Sequence, residues 1–172
     1  RNMELREYIR DIPDFPKEGI IFKDITPLLA DPIALQESIS QLAKRFAGCQ
    51  ATKILGAEAR GFIFGAALAC EMEMGFVPVR KPGKLPYETL EATYDLEYGT
   101  DTLCIHKDAI SEGETVLIVD DVLATGGTIN GILQLVNQIG AHVEGIGFLM
   151  ELTFLEGRRK LGKQNIETLI TF

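Results

Sequence analysis

The sequence predicts an α/β fold, a mostly parallel twisted sheet flanked by helices. Three observations point there. Short runs of β-branched and aliphatic residues alternate with stretches of helical period. The run Val116–Val119 is apolar without alternation, as in a strand covered on both faces. Residues with chemistry to offer follow directly after such runs, and the C-terminal ends of strands are where open α/β sheets bind ligands.

Taken in order, residues 3–10 read as a short helix. Pro13, Pro16 and Gly19 then interrupt a segment that is otherwise apolar (Phe15, Ile20, Ile21, Phe22, Ile25). That mixture fits either an arm packed on the core or a lid carrying an aromatic ring. Asp31-Pro32 is a helix start, with Asp as N-cap and Pro at the first position. Leu35, Ile39, Leu42, Ala43 and Phe46 recur on one face, giving an amphipathic helix over 32–47. Lys53–Ala57 reads as a strand, 58–61 as a turn and 62–73 as a helix. Phe76–Arg80 is a further strand, and Pro78 places it near a sheet edge.

Residues 81–100 show no clean period, and a connection this long is usually functional or mobile. Thr102–His106 and Val116–Asp120 read as strands, with Glu112-Gly113 turning between them. A helix over 127–139 is closed by Gly140, where a helix C-cap belongs. His142–Met150 is a strand, Phe154–Lys160 a short helix and Ile166–Phe172 a last strand. There is no repeat, low-complexity segment or interdomain linker, so 1–172 is expected to form a single domain.

The chain has 172 residues, of which 46% are hydrophobic and 24% charged, an ordinary globular composition. Its net charge of -8 argues against nucleic-acid or anionic-membrane binding driven by bulk charge. Three widely spaced cysteines, with no C-x-x-C, read as small core hydrophobes in a reducing compartment. The N-terminus is charged, and the longest weakly polar run, Gly61–Cys70, is far too short to span a bilayer. The expected location is cytoplasmic. His106 and His142 stand apart from any Cys/His cluster and do not read as metal ligands.

The most informative stretch is VLIVDDVLATGGT, residues 116–128. A strand delivers Asp120 and Asp121, then Ala124-Thr125-Gly126-Gly127-Thr128 opens a helix. Glycines let backbone approach an anion closely, and the N–H groups of a helix N-terminus point at it. Thr125 and Thr128 can add hydroxyl donors. That half suits a phosphate monoester. The acids suit sugar hydroxyls, the water shell of a metal or a developing positive charge. Together they point to a phosphorylated sugar. Two other phosphate motifs are missing: there is no G-x-x-x-x-G-K-[ST], and Gly145-x-Gly147 meets Met150 where a dinucleotide fingerprint has its third glycine. Arg60, Arg80, Lys81 and Lys84 follow two other strand ends and supply the local positive charge that the acidic total lacks.

The run 116–128 resembles the phosphoribosyl-diphosphate (PRPP) signature of the type I phosphoribosyltransferases. The pieces FPKEGIIFKDITPLL, GAEARGFIFG, VRKPGKLP, Tyr94-x-LEYG, KDAI and MELTFLEGR extend the likeness over nearly the whole chain. The LEYG and N-terminal pieces narrow it to the adenine phosphoribosyltransferases. This resemblance implies a type I phosphoribosyltransferase fold with a small hood from residues 3–30 and a mobile catalytic loop at 81–100. It implies purine salvage, in which adenine and PRPP give AMP and diphosphate.

By the same resemblance, Ala124, Thr125, Gly126, Gly127 and Thr128 hold the 5-phosphate. Asp120 and Asp121 face the ribose hydroxyls and the C1 carbon. Glu58, Ala59, Arg60, Arg80, Lys81 and Lys84 serve the diphosphate, with a cis peptide at Glu58–Ala59. Glu97 exchanges a proton with the base, and Tyr98 supports the closed loop. Phe22 and Leu152 sandwich adenine, while the backbone of Ile21 and Lys23 reads its edge. Mg²⁺ is expected as cofactor, held through PRPP and water rather than by a dedicated protein site. A homodimer is expected, with no nucleic-acid or membrane partner. The competing readings are a transferase for hypoxanthine, xanthine or orotate, and a PRPP-sensing regulator without catalysis.

Overall fold

Five parallel strands carry the molecule, and their two faces feed two separate cores. A computed structural model describes residues 3–96 and 98–172. The strands are β3 (Lys53–Ala57), β4 (Gly75–Val79), β7 (Thr115–Leu123), β8 (His142–Glu151) and β9 (Ile166–Thr171). Their order across the sheet is β4-β3-β7-β8-β9, with every neighbouring pair parallel. Pro78 therefore lies on an edge strand, where its missing N–H costs no ladder bond.

Because side chains alternate along a strand, Val116 and Ile118 of β7 enter one core and Leu117 and Val119 the other. Helices α1 (Thr26–Ala30), α2 (Pro32–Arg45) and α3 (Arg60–Glu71) contribute Leu28, Leu42, Phe64 and Leu68 to the second core. Helix α4 (Gly127–Ile139) contributes Ile132, Leu135 and Val136 to the first. Asp31 caps α2 as its position predicts: one carboxylate oxygen accepts from the Ile33 and Ala34 N–H groups, each at 2.9 Å. Gly140 closes α4 with φ +80°.

Two hairpins stand outside this sheet. At the N-terminus a 3-10 turn, Leu5–Tyr8, replaces the short helix expected over 3–10, and the chain becomes extended at Arg10. Strands β1 (Arg10–Pro13) and β2 (Ile21–Asp24) then pair antiparallel. The second hairpin corrects the reading of 81–100 as irregular throughout. β5 (Thr89–Asp95) pairs along its length with β6 (Thr100–His106), leaving non-strand backbone at 80–88 and at the tip. The alternation Ala92-in, Thr93-out, Tyr94-in is the strand signal there, masked by the flanking prolines and charges.

The other departures are smaller. β7 continues to Leu123 rather than ending at Asp120, because it stays paired with β8 as far as Leu123–Glu151. Residues 153–161 split into a 3-10 turn (Thr153–Leu155) and a five-residue helix α5 (Gly157–Leu161). Among the described residues no helix is long and apolar enough to cross a membrane, and Cys49, Cys70 and Cys104 are free thiols.

Candidate active site

A cavity of about 270 Å³ opens at the C-terminal ends of β3 and β7. Glu58, Ala59 and Arg60 line it from the first strand end, and residues 120–129 line it from the second. The expected phosphate turn, acid pair and first strand-end arginine therefore meet around one space. Val122, Leu123 and Ile129 complete the wall. They are apolar residues within the same run, and their pattern in the sequence reads simply as core.

The turn is built for an anion. Gly126 has φ +88°, the left-handed conformation that side chains disfavour, and it swings the chain from β7 into α4. Helix α4 has Gly126 at its N-cap position, with no side chain to cap it, and no side-chain cap is present among the described residues. Its first N–H groups have no intrahelical acceptor, so they are left to a ligand or water.

The two acids differ. Asp121 is 2% exposed, whereas Asp120 is half-buried. Asp120 Oδ1 accepts the Asp121 N–H at 2.8 Å. Burial, together with the neighbouring Asp121 charge, pushes the Asp120 carboxyl well above the usual carboxylate range. Arg60 Nε lies 2.9 Å from Asp121 Oδ2. Its N–H is not aimed along that line, so this is an ion pair without a hydrogen bond, and Oδ2 is left without a donor among the described residues. The same guanidinium sits 5.4 Å above the Phe22 ring. Arg60 thus joins the cavity to the N-terminal hairpin.

Apart from Glu58 and Ala59, the remaining predicted residues lie outside that wall. Glu58 faces the cavity, but its carboxylate works sideways. Oε1 accepts from the Lys81 N–H at 2.9 Å and from Arg80 Nε at 3.1 Å. The Lys81 N–H, and after it Arg80, hold the Glu58 carboxyl below its ordinary value. Glu58 therefore fixes the backbone that carries the cations. The Glu58–Ala59 peptide is cis, as the resemblance implies.

Arg80 stacks 5.8 Å over Phe62, and its backbone bridges to Cys104. Lys81 Nζ is paired with Asp101, which raises the lysine pKa and lowers that of the acid. Asp101 was not legible as a partner, since only the β5–β6 register sets it opposite Tyr94. Lys84 lies exposed past this turn.

In the N-terminal hairpin, Phe22 is half-buried with Phe15 packed edge-on at 5.2 Å. Ile21 is exposed, and Lys23 pairs with Asp11 at 2.7 Å. Leu152 is tied to the β7 end through its N–H to the Leu123 carbonyl at 2.9 Å. Tyr98 is exposed at the β5–β6 tip. Glu97, the expected proton carrier, lies outside the described residues.

The chain is similar to known proteins over nearly its whole length. The phosphoribosyl transferase domain model matches residues 24–164. The chain belongs to the adenine phosphoribosyltransferases. It is 61% identical to the adenine phosphoribosyltransferase of Maridesulfovibrio salexigens over 98% of this chain and 99% of that one. The crystal structure of the Thermoanaerobacter pseudethanolicus adenine phosphoribosyltransferase superposes with a TM-score of 0.95 at 58% identity, covering 98% of each chain. The Saccharomyces cerevisiae adenine phosphoribosyltransferase, in complex with an imino-altritol bisphosphate and adenine, superposes with a TM-score of 0.87 at 42% identity, covering 96% of this chain and 95% of that one. The mostly parallel sheet, the flanking helices and the hood hairpin are those of the type I phosphoribosyltransferase fold.

Proposed function

We propose that this enzyme joins adenine to PRPP, giving AMP and diphosphate, in the cavity between β3 and β7. One observation carries the reading: an uncapped helix N-terminus and two adjacent carboxylates share a single cavity. The yeast relative, bound to a sugar-like bisphosphate and to adenine, supports it.

In this reading the 5-phosphate rests on the N–H groups and hydroxyls of Ala124–Thr128. The C1–oxygen bond to diphosphate breaks, C1 becomes oxocarbenium-like, and N9 of adenine bonds to it. Burial, and after it the repulsion of the neighbouring Asp121 carboxylate, make Asp120 resist losing its proton. A positive C1 next to them relieves that repulsion, so the pair favours the transition state over the ground state. Arg60 and Arg80 take the departing diphosphate, with Lys81 and Lys84 behind them. N9 sheds a proton, and Glu97 exchanges it with the base.

Phe22 and Leu152 flank adenine. At its edge, a backbone acceptor for the 6-amino group and a donor for N1 come from Ile21 and Lys23. A 6-oxopurine meets acceptor with acceptor and donor with donor, at about 1–3 kcal/mol for each mispaired group.

Magnesium belongs to the same proposal. Asp120 and Asp121 supply the oxygen chemistry it takes, and Asp121 Oδ2 has a lone pair without a donor to offer a metal-bound water. When bound, Mg²⁺ neutralises charge on the diphosphate. A homodimer is also proposed. The resemblance supports it, as do the exposed apolar residues Ile63 and Tyr87, each three positions past a strand-end cation. A cytoplasmic location is supported by the three free thiols.

The test is a substrate screen with PRPP and adenine, hypoxanthine, guanine, xanthine or orotate, run with Mg²⁺ and after chelation. Adenine alone should turn over, with diphosphate release that chelation abolishes and Mg²⁺ restores. Turnover of hypoxanthine but not adenine would assign another base. PRPP binding with no turnover of any base would make the protein a regulator. Sedimentation at assay concentration should give twice the 18.9 kDa chain mass; full activity at the monomer mass would contradict the dimer.

A further inference from the structure

We infer that Arg158 and Gly157, on the short helix α5, are positioning residues for the phosphate turn. The inference rests on the reading of Ala124–Thr128 as that turn. Neither residue lines the cavity. Both act through the backbone behind it.

Glu151 ends β8 and is only 5% exposed. A buried carboxylate is tolerated when it is paired and hydrogen-bonded. Arg158 Nε lies 2.9 Å from Glu151 Oε2 and 3.1 Å from Oε1, and the Thr168 hydroxyl donates to Oε1 at 3.2 Å. Three elements, β8, β9 and α5, therefore converge on one carboxylate.

The clamp sets the start of α5, and that start touches the turn. A Cβ on Gly157 would lie 2.5 Å from the Ala124 carbonyl oxygen and 2.8 Å from Leu123 Cδ1. The Gly157 carbonyl in turn lies 3.0 Å from where a Cβ of Gly126 would stand, and Leu161 covers the same spot at 3.5 Å. The backbone of 124–126 thus has α5 as its rear wall, with no room for a methyl group between them. Glu151 pairs directly across the sheet with Leu123, the last residue of β7 before the turn. A shift in the clamp reaches the turn by two routes, through β8 to Leu123 and through α5 to Ala124.

The test uses ribose 5-phosphate and inorganic diphosphate as separate probes of the full-length protein. In Arg158→Met and Gly157→Ala, the dissociation constant for ribose 5-phosphate should rise about tenfold, the scale of one lost hydrogen bond to a charged group. The KM for PRPP should follow it. The inhibition constant for diphosphate and the KM for adenine should stay at their wild-type values. Arg158→Lys, which keeps a cation within reach of Glu151, should recover most of the loss. If Arg158→Met does not fold, Gly157→Ala carries the same measurement.

Unchanged ribose 5-phosphate affinity in folded Gly157→Ala or Arg158→Met would overturn the inference. So would an equal loss for both probes, since that is general loosening rather than positioning of the turn. A wild type that fails to bind ribose 5-phosphate would instead overturn the phosphate reading itself.

Discussion

The two halves of the active site are built differently. The proposed phosphate half stands on the ends of β3 and β7, over two packed cores, and its wall is two short runs of sequence, 58–60 and 120–129. The proposed base half draws on hairpins outside the sheet, where Ile21 and Tyr98 are exposed and Phe22 is held by Phe15 and Arg60, and on Leu152 just past β8. Rigid backbone suits the part that recognises a fixed phosphate and a charged transition state. Exposed hairpin residues suit the part that must admit a flat base and then exclude water. Arg60 spans the two halves, paired with Asp121 on one side and lying over Phe22 on the other.

If this division holds, damage to each half should appear in different kinetic constants. The largest effect belongs to the acid pair. Asp121→Asn keeps the shape and removes a carboxylate, and Asp120→Asn removes the carboxyl that can ionise as C1 turns positive, so kcat should fall by about 10²–10³-fold with substrate binding far less affected. Steady-state kinetics would check this; a change in KM alone would remove the acids from the chemistry.

A pair of variants sharpens the contrast. Gly126→Ala forces a side chain onto a left-handed position at a cost of ~1–3 kcal/mol, which should raise the KM for PRPP about tenfold or more and leave that for adenine alone. Phe22→Ala should do the reverse, raising the KM for adenine by a similar factor, since stacking on an aromatic ring is worth ~1–3 kcal/mol per base. If either variant moved both constants equally, the halves would not be separable.

The smallest effect is on stability, and its sign differs between the halves. Asp120 has a raised pKa, so the folded state holds a proton that the unfolded chain has released. Stability falls as pH rises from the ordinary carboxylate value through the folded one. Asp120→Asn should therefore raise the thermal midpoint at pH 8 by about 2–4 °C while it abolishes most activity. In the hood, Asp24 is lowered from 3.8 to about 2 by the Thr26 N–H and by Arg10. Its contribution is present above pH 4 and is lost as pH falls toward 2. It is modest, because Arg10 is largely exposed and screened. Melting curves from pH 3 to 8 of the wild type, Asp120→Asn and Asp24→Asn would resolve the two opposing slopes.

The same division explains what the sequence made legible. The strand, acid pair, turn and helix of 116–139 were readable because their chemistry is contiguous and each local preference agrees with the next. Asp31 and Gly140 marked helix ends through local hydrogen bonding and backbone conformation. β5 was hidden because its period spans only seven residues among prolines and charges. The pairing of Asp101 with Lys81 depends on register between segments 20 residues apart, and the clamp of Arg158 on Glu151 on how the chain turns from β8 into α5. No local pattern encodes that register. The part of the site that local rules leave unread is the part made by tertiary contact.

The most direct test of the central claim is a crystal structure of the protein with AMP. The account predicts the phosphate on the N–H groups and hydroxyls of residues 125–128, the ribose hydroxyls against Asp120 and Asp121, and the base beside Phe22. A phosphate bound away from that turn, with the acids facing only water, would contradict it.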